Sequence, residues 1–300
     1  MNELFAADPL VCTSASDLKL LFASFGPYAG RYLANYPSDW ATQVQRGLDP
    51  VGEIEAARIQ TLLRRAKENL TLVNRLNLPW KPDQAWLANA SPLLEGSSSV
   101  FEGLIANGGT PPTVHELHDV DLPPTAEERV AGTANEYARI SKILLLLSPE
   151  IAFIDPYLNP QKRACSAVLG ALFDLVGRGK CQKITLWTRA ADVLGAGNTN
   201  AVMADMKETL QRLAVTANFK SGREIEMNLV EDESRQTKMH GRYVLSVKGG
   251  VRLDQGFQQL PNGRQVDVGP IGKVIHNELL DIFFDGRHDM RVVERIAFKV

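Results

Sequence analysis

The chain has 300 residues, of which 44% are hydrophobic and 23% are charged, and its formal net charge is -2. This length and composition suit one large globular domain or two ordinary ones. The near-neutral charge excludes a protein that binds nucleic acid through a strongly basic overall field, while a local basic patch stays compatible with it.

The cysteines and the apolar runs indicate the compartment. Cys12, Cys165 and Cys181 are scattered and form neither a metal-ligand spacing nor a disulfide framework, which favours a reducing environment. The first residues lack the basic and apolar regions of a signal peptide, and the longest apolar run, residues 143–147, is too short to span a bilayer. We therefore expect a cytoplasmic protein without membrane association.

Residues 1–124 predict a mostly helical N-terminal region. Residues 53–76 carry its strongest helical period, with an apolar stripe opposite a basic one, and Pro79 follows. The segment 25–40 is dense in aromatic residues, Gly and Pro, which is typical of an ordered, packed loop. Its aromatic residues either form an interaction surface or fill a small helical core, so this region is the candidate for binding a partner protein.

A short stretch of the same region superficially resembles a metal site. His115 and His118 flank Glu116 and Leu117, but the zinc-protease pattern needs its second histidine one residue later and on a helix. We therefore expect no metal and no cofactor.

Residues 125–300 predict an α/β domain. A helix is expected over residues 125–147, with Thr125 and Glu128 as a capping box. Further strands are predicted at residues 151–155, 183–189, 224–230, 242–247 and 265–268, and further helices at residues 161–176, 201–213 and 272–284. Strands that alternate with helices indicate a sheet with parallel strands, covered by helices on both faces.

The segment 239–257 predicts a strand, a Gly-Gly turn and a second strand. His240 and Arg242 are two residues apart, so on a strand their side chains would share a face. An imidazole acts as nucleophile or acid/base, and a guanidinium holds two phosphate oxygens, so the pair suits a phosphate group. The alternative is a strand-edge histidine beside a surface arginine.

Three features together resemble one family. They are the strand that ends in Asp155-Pro156-Tyr157, the β-α-β-α-β order, and His240-x-Arg242-Tyr243 followed by a Gly-Gly turn and Gly256-Phe257. Over residues 147–284 the chain resembles a phospholipase D superfamily domain, and more narrowly the bacterial phospholipase D-like domains with one degenerate His-x-Lys or His-x-Arg motif. The resemblance implies a mixed sheet flanked by helices. It also implies that His240 is the nucleophile or general acid and that Arg242 is the phosphate ligand.

The resemblance leaves two functions open. One is a metal-independent phosphodiesterase or nuclease; such relatives occur in bacterial defence or mobile-element contexts, which implies a nucleic-acid substrate. Because the chain has no second His-x-Lys or His-x-Arg motif, this enzyme would need a homodimer to pair two histidines. The other is a catalytically inactive module that binds a phosphate-bearing ligand or a partner protein, which is favoured by Val247 at the place of the family's aspartate.

Further site residues surround this motif. Asp155 is the third catalytic candidate because it ends the first strand of the α/β sheet, where ligand sites gather; a turn-forming aspartate before Pro156 is the alternative. The remaining ligand-binding candidates are Tyr157, Tyr243, Lys238, Lys248, Arg252 and Gly256.

Overall fold

The computed structural model describes residues 3–48, 52–74, 78–94, 99–108, 113–119, 122, 127–195, 198–231, 239–261 and 264–300. The contacts within the chain divide it into two units, Asn2–Thr125 and Ala126–Val300. None of the helices in these described ranges is long and apolar enough to cross a bilayer.

The N-terminal unit contains a parallel five-stranded sheet. Its strands are β1 (Glu3–Ala7), β2 (Arg31–Ala34), β3 (Leu72–Val73), β4 (Gly103–Ile105) and β5 (Val114–His115). They are ordered β3-β2-β1-β4-β5, and every neighbouring pair is parallel. Strand β1 therefore lies in the middle of the sheet. Strands β2 and β3 extend the sheet on one side of β1, and β4 and β5 extend it on the other.

Helices and short 3₁₀ turns connect these strands. The helices are α1 (Ala15–Ala23), α2 (Trp40–Gly47), α3 (Glu53–Glu68) and α4 (Trp86–Ala90). Ser14 begins α1 by accepting a hydrogen bond from the Asp17 amide. The fully buried Trp40 donates its indole N–H to the Ala7 carbonyl at 2.6 Å, so α2 is anchored to the end of β1.

The prediction of a mostly helical N-terminal region is therefore wrong. Its strands have two to five residues, which is too short for the alternation of apolar and polar residues to be recognised. The helix predicted over residues 53–76 ends at Glu68, where Leu70 has φ 58°, and Leu72–Val73 form β3. Their apolar side chains continued the helical stripe in the sequence, which hid the change of structure.

The C-terminal unit contains a mixed eight-stranded sheet. Its strands are β6 (Glu128–Ala131), β7 (Glu150–Ile154), β8 (Lys183–Arg189), β9 (Glu224–Glu231), β10 (Tyr243–Ser246), β11 (Gly249–Leu253), β12 (Gln265–Pro270) and β13 (Arg291–Lys299). The order is β13-β9-β8-β7-β10-β11-β12-β6. Strands β7, β8 and β9 are parallel, and the other pairs are antiparallel. The predicted α/β class and mixed sheet are thus confirmed.

Helices cover both faces of this sheet. They are α5 (Ala134–Leu147), α6 (Arg163–Arg178), α7 (Ala190–Val193), α8 (Thr199–Thr216) and α9 (Lys273–Phe283). Phe153 of β7 stacks on Phe173 of α6, and α6 also packs against α5 and α8. Ile154, the next residue of β7, lies in an apolar cluster with Phe283 of α9, because successive strand residues point to opposite faces.

The predicted helix over residues 125–147 is also corrected. Residues Glu128–Ala131 form β6, which pairs with β12, and the helix starts only at Ala134. Its cap is Thr133, whose hydroxyl accepts from the Glu136 amide at 3.3 Å. Thr125, the predicted cap, lies outside the described residues. The apolar residues of β6 matched the helical period of α5, which hid the break that Gly132 and the capping box of Thr133 with Glu136 mark in the sequence.

Candidate functional site

The candidate site lies at the carboxyl ends of β7 and β8 and at the amino end of β10. Strand β10 runs antiparallel to β7, with Tyr243 opposite Ile154. Asp155 directly follows β7, and Arg242 directly precedes β10, so the two residues are neighbours. The Arg242 Nε lies 3.7 Å from the Asp155 Oδ1. Two of the three predicted catalytic residues thus meet at one edge of the sheet.

Asp155 is buried and both of its carboxylate oxygens are engaged. It is 4% exposed; Oδ1 accepts from the Tyr157 amide at 2.8 Å, and Oδ2 accepts from the Phe257 amide at 2.9 Å. Burial raises the pKa of Asp155, and these two amides together with nearby guanidinium groups act against that rise. Asp155 consequently joins the turn after β7 to the turn after β11.

Gly256 leaves the space that this arrangement needs. Its φ is +71°, and a Cβ at this position would lie 2.0 Å from the Asp155 Oδ2 and 2.7 Å from the Arg242 Cδ. No side chain fits between these two residues. Gly256 therefore contributes to the site through its backbone.

Two guanidinium groups lie beside one exposed aromatic ring. The Arg242 guanidinium carbon is 5.5 Å from the Tyr157 ring centroid, and that of Arg189 is 5.1 Å from the same centroid. Both arginine side chains are about a quarter exposed, and Tyr157 is 48% exposed. These contacts bring two positive charges together at the open edge of the sheet.

Each of these arginines is held by protein groups and keeps further donors. Arg242 Nη1 donates to the Asp254 carbonyl at 2.6 Å, and Arg189 Nε lies 2.9 Å from the Asp192 Oδ2. A guanidinium has five N–H donors in a planar fork. These partners therefore fix the orientation of both groups and leave donors for a ligand.

A small cavity of about 60 Å³ adjoins the same residues. Asp155, Tyr157, Lys162 and Cys165 contribute to its wall. The Lys162 ammonium has no ion-pair partner in the described ranges. Burial raises the pKa of the Cys165 thiol to about 12, so Cys165 is a neutral thiol at neutral pH and does not supply a thiolate nucleophile.

His240 does not lie where the sequence predicted. It belongs to a turn before β10, which starts at Tyr243, so the argument that His240 and Arg242 share a strand face is wrong. The imidazole is exposed, and no hydrogen bond or ion pair links it to another residue that the structure describes. Asp155 therefore does not orient His240 in this structure.

The other predicted ligand residues are dispersed. Lys248 lies in the turn at the far end of β10, about 10 Å or more along the strand from Arg242, so the structure does not bring these two residues together. Arg252 pairs with Glu127 and Asp254. Tyr243 packs against the apolar cluster beneath α9. Lys238 lies outside the described residues.

The sequence interpretation missed Arg189 as a site residue. It ends the predicted strand 183–189, and strand β8 is the parallel neighbour of β7, which ends beside Asp155. The carboxyl ends of parallel strands meet at one edge of the sheet. The position of Arg189 at the carboxyl end of β8, the strand after β7 in the sequence, was therefore the sequence signal that could have placed it at the site.

The histidine-rich stretch of the N-terminal unit makes a local contact. His115 lies on β5, and His118 lies in the following 3₁₀ turn with its Nε2 3.6 Å from the Asp17 Oδ1. Across the described ranges, no group of three or more His, Cys, Asp or Glu residues is arranged to hold a metal ion.

Comparisons with known proteins include a distant structural similarity. No family model matches the sequence, and no curated protein matches it. Among solved structures, the chain is similar to TrmBL2, an archaeal chromatin protein whose structure is described as showing a novel mode of DNA binding. The identity is 11%, with a TM-score of 0.30, over 86% of this chain and 71% of that chain.

Proposed function

We propose that the C-terminal unit is a phospholipase D-like module that binds a phosphate-bearing ligand. The observation that supports this proposal is the pair of oriented, partly exposed guanidinium groups of Arg189 and Arg242 beside Tyr157. Arginine forks match the geometry of phosphate oxygens, and their bonds to an anion are stronger than neutral hydrogen bonds. The Tyr157 hydroxyl is a further donor at the same edge.

The local charge agrees with an anionic ligand. Lys162, Arg189 and Arg242 stand against two carboxylates, those of Asp155 and Asp192. The Asp155 carboxylate accepts from two backbone amides, and the Asp192 carboxylate forms an ion pair with Arg189. The edge of the sheet therefore keeps a positive charge that a phosphate can neutralise.

The geometry favours binding over hydrolysis. Asp155 is buried and its described partners are two backbone amides and Arg242, so it forms no nucleophile–base pair with His240 in the described contacts. His240 contacts neither Asp155 nor Arg242 among the described contacts. A nucleophile and its partner base need to lie within hydrogen-bond distance of each other.

The test is the affinity for a terminally phosphorylated, fluorescently labelled single-stranded oligonucleotide, with inorganic phosphate as competitor. Arg189→Gln and Arg242→Gln should each weaken binding about ten-fold or more, because each removes bonds to a charged group. Arg178→Gln is the matched control, since Arg178 is an exposed arginine paired with Asp174 at the opposite end of α6. Equal losses in all three variants, or none, would contradict the proposal.

A metal-independent phosphodiesterase or nuclease is the second candidate. It is supported by the exposed His240 imidazole two residues before Arg242. Its histidine would need the same residue from a second copy of the chain as general acid. This candidate predicts that the protein hydrolyses bis(p-nitrophenyl) phosphate, that the hydrolysis persists in EDTA, and that the His240→Ala variant has lost it. Light scattering should show that the active protein is a dimer. Hydrolysis by His240→Ala would exclude it.

A further inference from the structure

An open groove of about 680 Å³ lies between α1 and α3 of the N-terminal unit. Its wall is formed by Ala15, Ser16, Lys19, Ile54, Glu55, Ala57, Arg58, Thr61, Leu62 and Arg65. None of these lining residues belongs to the proposed phosphate site, so a ligand of the groove would be independent of that function.

The floor of the groove is apolar. Ala57 and Leu62 of α3 and Ala15 of α1 contribute apolar side chains to its lining. Ile54 at the start of α3 is 74% exposed and lines the same groove, so it adds to a shared apolar surface rather than standing alone. This apolar surface is available for contact with a partner.

The rim of the groove is positively charged. Lys19, Arg58 and Arg65 line it, and Glu55 is the carboxylate among the lining residues. Glu55 is already engaged, because it accepts from the Ala15 amide at 3.0 Å and lies 3.5 Å from Arg58. Lys19 and Arg65 have no ion pair with another residue in the described part of the chain.

The spacing along α3 fits a helical partner. Residues 54, 58 and 62 form one row on the helix surface, and residues 57, 61 and 65 form the adjacent row. From Ile54 to Arg65 the rows run for about 16 Å, or three helical turns. An amphipathic helix of about that length lies naturally in such a groove, with apolar anchors at helical spacing.

We propose that this groove binds an acidic amphipathic α-helix of a partner protein. The apolar face of the partner helix packs on Ile54 and Leu62, and its flanking carboxylates face Lys19 and Arg65. Charge complementarity selects an acidic helix, because the positive rim repels a basic one. The lining contains no aromatic residue on which nucleic-acid bases would stack, which favours a protein helix over a single-stranded nucleic acid.

The experiment uses the full chain and a labelled synthetic peptide of about 14 residues, with leucines at helical spacing and glutamates beside them. The same peptide with lysine in place of glutamate, and a labelled single-stranded oligonucleotide, serve as competing probes. Fluorescence anisotropy should show binding of the acidic peptide, and this binding should weaken as salt concentration increases.

Two neighbouring arginines provide the decisive pair of variants. Arg65→Glu should weaken binding of the acidic peptide about five-fold or more, because it turns an attraction into a repulsion. Arg64→Glu is the control, because it makes the same change of charge one residue away. Arg64 pairs with Glu68 and does not line the groove. Ala57→Trp should block binding by filling the floor; circular dichroism checks that this variant is folded.

Three outcomes would overturn the proposal. They are no binding of the acidic peptide, equal losses in Arg64→Glu and Arg65→Glu, and stronger binding of the lysine peptide or the oligonucleotide than of the acidic peptide.

Discussion

At the scale of single residues, the candidate site is an arrangement of charges fixed by the backbone. Asp155 is bonded to two amides, and Arg242 donates to the Asp254 carbonyl. A buried carboxylate without such partners would be strongly unfavourable. The same contacts that stabilise Asp155 also determine where the Arg242 guanidinium lies, so the stability and the geometry of the site depend on one set of bonds.

Gly256→Ala should destabilise the C-terminal unit by about 2–4 kcal/mol. The positive φ at this position is unfavourable for alanine, and the added Cβ would clash with Asp155 and Arg242. Urea denaturation measures the effect. Gly195→Ala is the control: Gly195 also has a positive φ, of +59°, but a Cβ there meets no atom within 4 Å. It should cost only about 1 kcal/mol. Similar losses in the two variants would refute the steric argument.

At the scale of elements, α9 is joined to the β10–β11 hairpin by a buried histidine. His276 is 1% exposed, and its Nε2 lies 2.8 Å from the Ser246 carbonyl oxygen. Burial lowers the pKa of His276, and the hydrogen bonds to backbone oxygens partly oppose this change. In the folded protein at neutral pH, His276 is therefore a neutral imidazole that donates to Ser246.

The lowered pKa of His276 predicts a dependence of stability on pH. The unfolded chain binds a proton at this histidine below about pH 6.5, whereas the folded protein binds it only at lower pH. The free energy of unfolding should therefore be fully retained above that pH and fall as the pH decreases through the window below it. His276→Gln should remove part of this dependence, and His240→Gln, at an exposed histidine that has no ion pair with another described residue, should leave it intact. Identical pH profiles of wild type and His276→Gln would contradict this account.

The elements also show which patterns the sequence makes readable. Strands β7, β8 and β9 have five to eight residues, alternate with helices, and were predicted. Strand β13 was missed although it has nine residues, because its mixed apolar and charged residues lack a regular alternation. Strand β6 was assigned to a helix because only Gly132 and Thr133 separate it from α5.

At the scale of the whole molecule, the chain forms two sheets that differ in the length of their strands. The strands of the N-terminal sheet have two to five residues, and those of the C-terminal sheet have four to nine. The shorter strands form because of their tertiary pairing with neighbouring strands, and no local sequence pattern reveals that pairing. The same reason explains the candidate site: Arg242 and Asp155 were predicted from their motifs, but Arg189 joined them only through the order of strands in the sheet.

The central claim is that phosphate binds at the edge of the C-terminal sheet between Arg189 and Arg242. The most direct measurement is a titration of the full chain with inorganic phosphate, followed by NMR of the arginine Nε–Hε groups. The resonances of Arg189 and Arg242 should shift together along one binding curve, while that of Arg178 stays in place. Shifts spread equally over exposed arginines, or no shift at Arg189 and Arg242, would contradict the claim.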